Sequence, residues 1–183
     1  MKKAGAVLLG IAAFAAPALA DDDGNRFGGN LVGYQEVPTL SSPGAGRIDL
    51  RIDDRRSEVH WQLSYGQMEG TVTQSHIHLG RPAINGGITV FFCTNLGNAP
   101  AGTVVQACPV PTGSETVMIS GTFGPADVGP GATAQGLTVG EFEELLRAIR
   151  SGSTYANVHT TLRPGGEIRA QIRRGHSRGG DRD

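Results

Sequence analysis

Two histidines stand two residues apart in S-H-I-H-L-G-R-P-A-I-N-G-G (75–87), just before a turn built from Gly80, Pro82 and Asn85-Gly86-Gly87. On an extended strand, side chains at i and i+2 leave the same face about 7 Å apart. His76 and His78 can therefore converge on one ion. A second stretch, N-V-H-T followed by P-G-G-E-I-R-A-Q-I, brings His159 into a β-rich segment, where it is the third candidate ligand. Three neutral imidazoles suit copper, zinc, iron or nickel. An open fourth position permits either chemistry or metal carriage. The plain alternative is that these histidines line a solvated strand face and hydrogen-bond the glycine turn that follows.

Other side chains extend this constellation. His60 faces away from the Trp61 side of its strand and is a candidate fourth ligand. Glu167 and Arg169 alternate on the last strand, so they can pair, steer an anion or orient a histidine from behind. Asn157 shares a face with His159 and is placed to fix its ring. His176 lies in a polar tail and is set aside. No G-x-S-x-G nucleophile motif and no phosphate loop is present. The adjacent carboxylates Asp53-Asp54 and Glu143-Glu144 diverge on a strand or helix and read as solvated faces.

Positioning such a site falls to a β-rich scaffold. Apolar and polar residues alternate at 47–53 (Ile48, Leu50 and Ile52 against Arg47, Asp49, Arg51 and Asp53) and at 58–65 (Val59, Trp61, Leu63 and Tyr65 inward), the period of half-buried strands. Further strands are predicted at 31–37, 71–79, 87–93, 115–123, 154–160 and 167–173. A single helix is predicted near 139–151. Phe142, Leu145, Leu146 and Ile149 form one apolar stripe, Thr138-x-x-Glu141 is a capping-box pattern, and Gly152 suits the stop. Twenty-eight glycines and the scarcity of helical periodicity favour an all-β domain rich in turns.

Residues 1–20 are predicted to be a cleaved secretory signal. Lys2 and Lys3 precede an Ala-rich apolar run, and Ala18-Leu19-Ala20 offers a cleavage site after Ala20. Residues 21–30 then read as a flexible segment, 31–173 as one domain and 174–183 as a disordered tail. Two of the 16 basic residues are Lys2 and Lys3, so the mature chain sets 14 arginines against 17 acidic residues, a net charge of −3. That balance gives no electrostatic reason for nucleic acid as a partner. No later stretch is apolar enough to span a bilayer, so the mature chain carries no predicted membrane span. Cys93 and Cys108, the only cysteines, are predicted to form a disulfide, as suits a periplasmic or secreted protein. The rival reading of the pair is soft metal ligation.

At these residues the chain resembles the chordin-type (CHRD) domain family. The likeness is carried by H-I-H-L-G-R-P-A-I-N-G-G at 76–87, Y-A-N-V-H-T at 155–160 and P-G-G-E-I-R-A-Q-I at 164–172, supported by G-Y-Q-E-V-P at 33–38 and L-S-Y-G-Q-M-E-G at 63–70. It implies an extracytoplasmic, immunoglobulin-like or Greek-key β-sandwich. A looser likeness is to copper/zinc superoxide dismutases, in which a His-x-His, a later histidine and an anion-guiding arginine follow the order of His76, His78, His159 and Arg169. Nothing here matches their bridging histidine, and no zinc-ligand cluster lies between 79 and 158, so this likeness implies a copper-only site. Three readings follow. The first is an exported module that binds a transition metal, copper favoured, through His76, His78 and His159. The second is a copper-only dismutase-like enzyme using Arg169. The third is a metal-free domain that binds an extracellular protein.

Overall fold

Every second residue from Val59 to Tyr65 is apolar, and each of these side chains is buried. The same rule governs Ile48, Leu50 and Ile52 on the preceding strand. A computed structural model describes residues 23–175; the predicted signal sequence, His176 and nearly all of the predicted tail lie outside the described residues. The strands are β1 (Arg26–Val32), β2 (Ala45–Asp53), β3 (Glu58–Gly66), β4 (Val72–Leu79), β5 (Ile88–Thr94), β6 (Thr116–Phe123), β7 (Thr154–Thr160), β8 (Ile168–Gln171) and β9 (Arg173–Arg174). The one α-helix among them is α1 (Phe142–Arg150). The described residues are mostly β with one short α-helix, as the sequence predicts.

All named pairings are antiparallel, and the strands run β5-β4-β7-β8-β1-β2-β3-β6, with β9 also pairing β1. The ladder folds over on itself into a nearly closed barrel. Trp61 of β3 thereby meets Phe92 of β5 across the interior, ring centroids 4.7 Å apart. The turn of the ladder is thin: β1 meets β8 only at Val32↔Arg169. There the Gln35 side chain replaces missing ladder bonds. Its Nε2 donates to Asn30 O at 3.0 Å and its Oε1 accepts from the Gln171 N–H at 3.1 Å.

Two boundaries differ from the sequence reading. Residues 21–30 were expected to be flexible, with the first strand at 31–37. Instead β1 begins at Arg26 and pairs along its whole length with β2, while Gly33–Gln35 form a 3-10 turn. Gly28 and Gly29, within the stretch expected to be flexible, serve close packing. A Cβ at Gly28 would lie 2.4 Å from Ile48 O, and one at Gly29 would lie 2.8 Å from Gln171 O. At the other end β9 carries Arg174 into the sheet, opposite Phe27.

The helix buries its predicted stripe of Phe142, Leu145, Leu146 and Ile149. It starts later than predicted, because only half of the capping box forms: the Thr138 N–H donates to Glu141 Oε2 at 2.7 Å, and Glu141 itself is the N-cap. Gly152 ends it in the left-handed region at φ 70°. Cys93 and Cys108 are joined in a disulfide, which anchors the 95–111 connection to β5. Among the described residues no helix is long and apolar enough to cross a membrane.

Candidate metal centre

Strand register assembles the site. From Gln74 to Leu79, β4 runs in regular antiparallel register with β7, with Gln74 opposite His159, His76 opposite Asn157 and His78 opposite Tyr155. On β8, Arg169 lies opposite Asn157 and Gln171 opposite Tyr155. Period-two alternation therefore collects His76, His78, Tyr155, Asn157, His159, Arg169 and Gln171 on one face of three adjacent strands. All seven are buried. The alternative of a solvated histidine face is thus not what the fold builds, because the turns around 80–87 and 161–167 close over it.

The three predicted ligands come together. One nitrogen from each of His76, His78 and His159 lies within 4.8 Å of the others. His76 is the middle ring, with centroids 4.7 Å from His78 and 4.6 Å from His159. Backbone carbonyls set two of the tautomers. His78 Nδ1 lies 2.8 Å from Gly86 O, and His159 Nδ1 lies 2.8 Å from Pro164 O. A carbonyl can only accept, so each Nδ1 carries the ring hydrogen and each Nε2 keeps its lone pair. His159 Nε2 and both nitrogens of His76 are buried without a hydrogen-bond partner. Each such group costs about 1–3 kcal/mol if left unpaired.

Burial also keeps the rings uncharged. Desolvation pushes His78 down to about 4 from its ordinary 6.5. His76 is held well below the usual histidine range, first by desolvation and then by the charges of His159 and His78. Desolvation likewise lowers His159. Neutral imidazole is the metal-binding form, so the cluster is a donor set at neutral pH.

The supporting residues are placed differently from the sequence expectation. Asn157 lies beside His78 rather than His159, its Oδ1 3.1 Å from His78 Nε2. A neutral ring has one hydrogen to give, so Gly86 O and Asn157 Oδ1 compete for it; the backbone carbonyl makes the shorter contact and cannot turn away, whereas a half-turn of the Asn157 amide relieves the Nε2 side. Glu167 orients no histidine and does not pair with Arg169. Its carboxylate accepts from Ser42 Oγ at 2.8 Å, the Glu69 N–H at 2.7 Å and Thr160 Oγ at 2.6 Å, tying three segments together beneath the site. His60 lies on β3 with its Nε2 3.1 Å from Glu58 Oε1, in a separate group with Asp53. It is not a fourth ligand of the cluster.

Arg169, 1% exposed, lies over the Tyr155 ring with its Cζ 3.4 Å from the centroid. The other face of Tyr155 is parallel to His78, within 2° and at 4.6 Å. The guanidinium donates to Ile84 O at 2.9 Å, Arg81 O at 3.1 Å and Asn85 Oδ1 at 3.3 Å. Sequence reasoning missed Tyr155 and Glu36 as members of this environment. Alternation from Asn157 and His159 would have placed Tyr155 on the face. Glu36 carried no local signal, since a turn residue reaches the site only through the tertiary fold. It is buried, its Oε1 lacks a partner, and desolvation raises it to about 7 against the opposing pull of Arg169.

No curated protein and no solved structure gives a significant match to this chain. The family model of the CHRD domain matches residues 27–172, which span β2 to β8, nearly all of β1, the helix and the three clustered histidines. The chain belongs to the CHRD domain family.

Proposed function

We propose that this CHRD-domain protein is an exported metal-binding module that holds a transition-metal ion, copper favoured, through His76, His78 and His159. The observation that carries the reading is the cluster of three buried, neutral imidazoles whose ligand nitrogens lie within 4.8 Å of one another, several of them without any other partner. An all-imidazole donor set suits copper, and copper binds such sites more tightly than its first-row neighbours. Export is supported by the signal-like sequence at 1–20 and by the disulfide, which persists in oxidising compartments. Bound copper would supply a redox-active Lewis acid. The protein's own contribution is to hold the rings neutral, fix two tautomers through Gly86 and Pro164, and exclude water. Metal handling is favoured over dismutation because the Arg169 guanidinium is engaged by the 81–85 loop and Tyr155 rather than open to an incoming anion.

The test is titration of the mature, disulfide-intact protein with copper and with zinc, followed by electron paramagnetic resonance of the Cu(II) form. Stoichiometric binding with nitrogen hyperfine structure is expected. It should be lost in the His76→Ala/His78→Ala/His159→Ala variant. Wild-type binding no tighter than that of the triple variant would sink the proposal and leave an extracellular protein-binding domain. Superoxide turnover by the copper form, lost in Arg169→Ala with the metal retained, would instead move the reading to the dismutase-like enzyme.

A further inference from the structure

Two of the three histidines have their ring hydrogen fixed by a loop carbonyl, and the two loops are held in different ways. The Pro164 carbonyl that meets His159 lies in a tight turn closed by backbone bonds, Arg163 N–H to Thr160 O at 3.2 Å and Gly166 N–H to Arg163 O at 3.0 Å. The Gly86 carbonyl that meets His78 ends a looser excursion. Within 81–85 the internal backbone bond is Ile84 N–H to Arg81 O at 3.2 Å, and Ala83 sits at φ 61°, an unfavourable conformation for a residue with a Cβ. Gln135 braces the ends of this loop at the Gly87 N–H and Leu79 O, and Asn85 Nδ2 donates to Val37 O, but the side chain that grips the carbonyls of the loop itself comes from β8. Arg169 places its guanidinium on the Arg81 and Ile84 carbonyls and on Asn85 Oδ1, immediately before the residue that holds His78.

The same guanidinium acts on His78 by a second path. It covers one face of Tyr155, and the opposite face of Tyr155 lies flat against the His78 ring. The Tyr155 hydroxyl in turn accepts the Gly86 N–H at 3.2 Å. Loop and aromatic ring are thus coupled at Gly86, and Arg169 holds both. The planar fork of an arginine can serve several acceptors in its plane while stacking through its face; an ammonium cannot do both.

We infer that Arg169 is a positioning residue for His78, fixing the hydrogen on its Nδ1 and the plane of its ring through the 81–86 loop and Tyr155, so that Nε2 is presented as the ligand. Its consequence for metal binding rests on the three-histidine reading. Its direct readout, the tautomer of His78, does not.

The experiment uses the mature, disulfide-intact protein labelled with 15N-histidine and free of metal at pH 7.5. Long-range 1H–15N correlation assigns the hydrogen-bearing nitrogen of each ring. Wild-type His78 and His159 are both expected to carry the hydrogen on Nδ1. In Arg169→Met, which keeps an apolar stem against Tyr155, His78 should shift to a mixed or Nε2–H population while His159 is unchanged. Arg169→Lys, which keeps the charge but not the fork, should restore His78 only in part, and it makes the same comparison if the methionine variant does not fold. Titration with Cu(II) should then show affinity lowered about 10- to 100-fold, the usual cost of losing a group that orients a metal-binding histidine. An unaltered His78 tautomer in a folded variant overturns the inference. So does equal disturbance of His78 and His159, which would make Arg169 a general structural residue. A shifted His78 tautomer in a protein whose wild type binds no copper would uphold the positioning role and reject the metal reading alone.

Discussion

Glu36 is a residue whose ionisation couples to stability. Burial raises its pKa from 4.5 to about 7, and the charged group facing it, Arg169, only partly offsets that cost. A carboxyl raised on folding binds its proton more tightly in the native chain than in the unfolded one. Between pH 4.5 and about 7 the native state therefore carries more protons, and stability falls as pH rises through that window. Above it the penalty reaches on the order of 3 kcal/mol. The buried histidines slope the other way: His78 drops from 6.5 to about 4 on folding, so the stability of its neutral form is lost as pH falls through that range. Glu36→Gln should remove the alkaline penalty and leave the acid limb intact. Urea denaturation at pH 5 and pH 8 checks this; an equal pH dependence in the variant and the wild type would show that Glu36 is ionised without cost.

At the scale of elements, the site depends on how the β4–β5 connection is folded back on its own strand. Gly86 approaches so closely that a Cβ there would lie 1.7 Å from Leu79 O and 2.7 Å from Leu79 C, both backbone atoms. Gly86→Ala must therefore displace the loop that carries the His78 acceptor. The expected cost is about 1–3 kcal/mol, as for other overpacked positions, together with loss of the Nδ1–H form of His78. Gly165→Ala is the matched control, because nothing lies within 4 Å of a Cβ there. Thermal or urea unfolding of the two variants separates them; equal stability would mean that the loop gives way freely and does not hold the histidine. The single proline and three glycines of 80–87 look like a generic turn in sequence. Their specific task is visible only once Leu79, Gly86 and His78 are seen to meet.

For the whole molecule, the weak points are the ends of the ladder. β5 and β6 are its two termini, and the connection between them is tied down by Cys93–Cys108, across a separation of 15 residues. Cross-linking a loop of that length is worth about 3 kcal/mol on the chain-entropy estimate. Supporting bonds accompany it: Tyr65 Oη donates to Pro109 O at 2.7 Å, and Asn95 holds Cys108 through both its amide atoms. Cys93→Ser/Cys108→Ser is expected to lower unfolding stability by about that amount while leaving the His76, His78 and His159 cluster assembled, since the β4–β7 ladder holds it. A loss well under 1 kcal/mol in urea titration would show that the hydrogen bonds alone secure this edge.

Much of this was legible from residue type and spacing, because it depends on local periodicity. Alternation at 47–53 and 58–65 shows which side chains β2 and β3 bury. The i, i+3, i+4, i+7 stripe marks α1, the two cysteines mark one cross-link, and H-x-H marks two rings on one face. That His159 lies with them was also legible, since the same alternation carries it to the matching side of a strand. Other features depended on partners distant in the chain. The start of β1 was missed because Gly28 and Gly29 signal flexibility locally, while their close approach to Ile48 and Gln171 exists only in the sheet. Asn157 and His60 were correctly seen as polar residues on strands, while Glu167 sits in the bend just before β8, and which neighbour each one meets is decided by strand order and register. The burial that keeps the histidines neutral, the carbonyls that fix two of their tautomers, and the stack of Arg169, Tyr155 and His78 arise only when turns far apart in sequence close over one face of β4, β7 and β8. Pattern in the chain determined the strands and the three imidazoles; the tertiary structure alone decided their environment, because desolvation and hydrogen-bond partnership are properties of what surrounds a side chain.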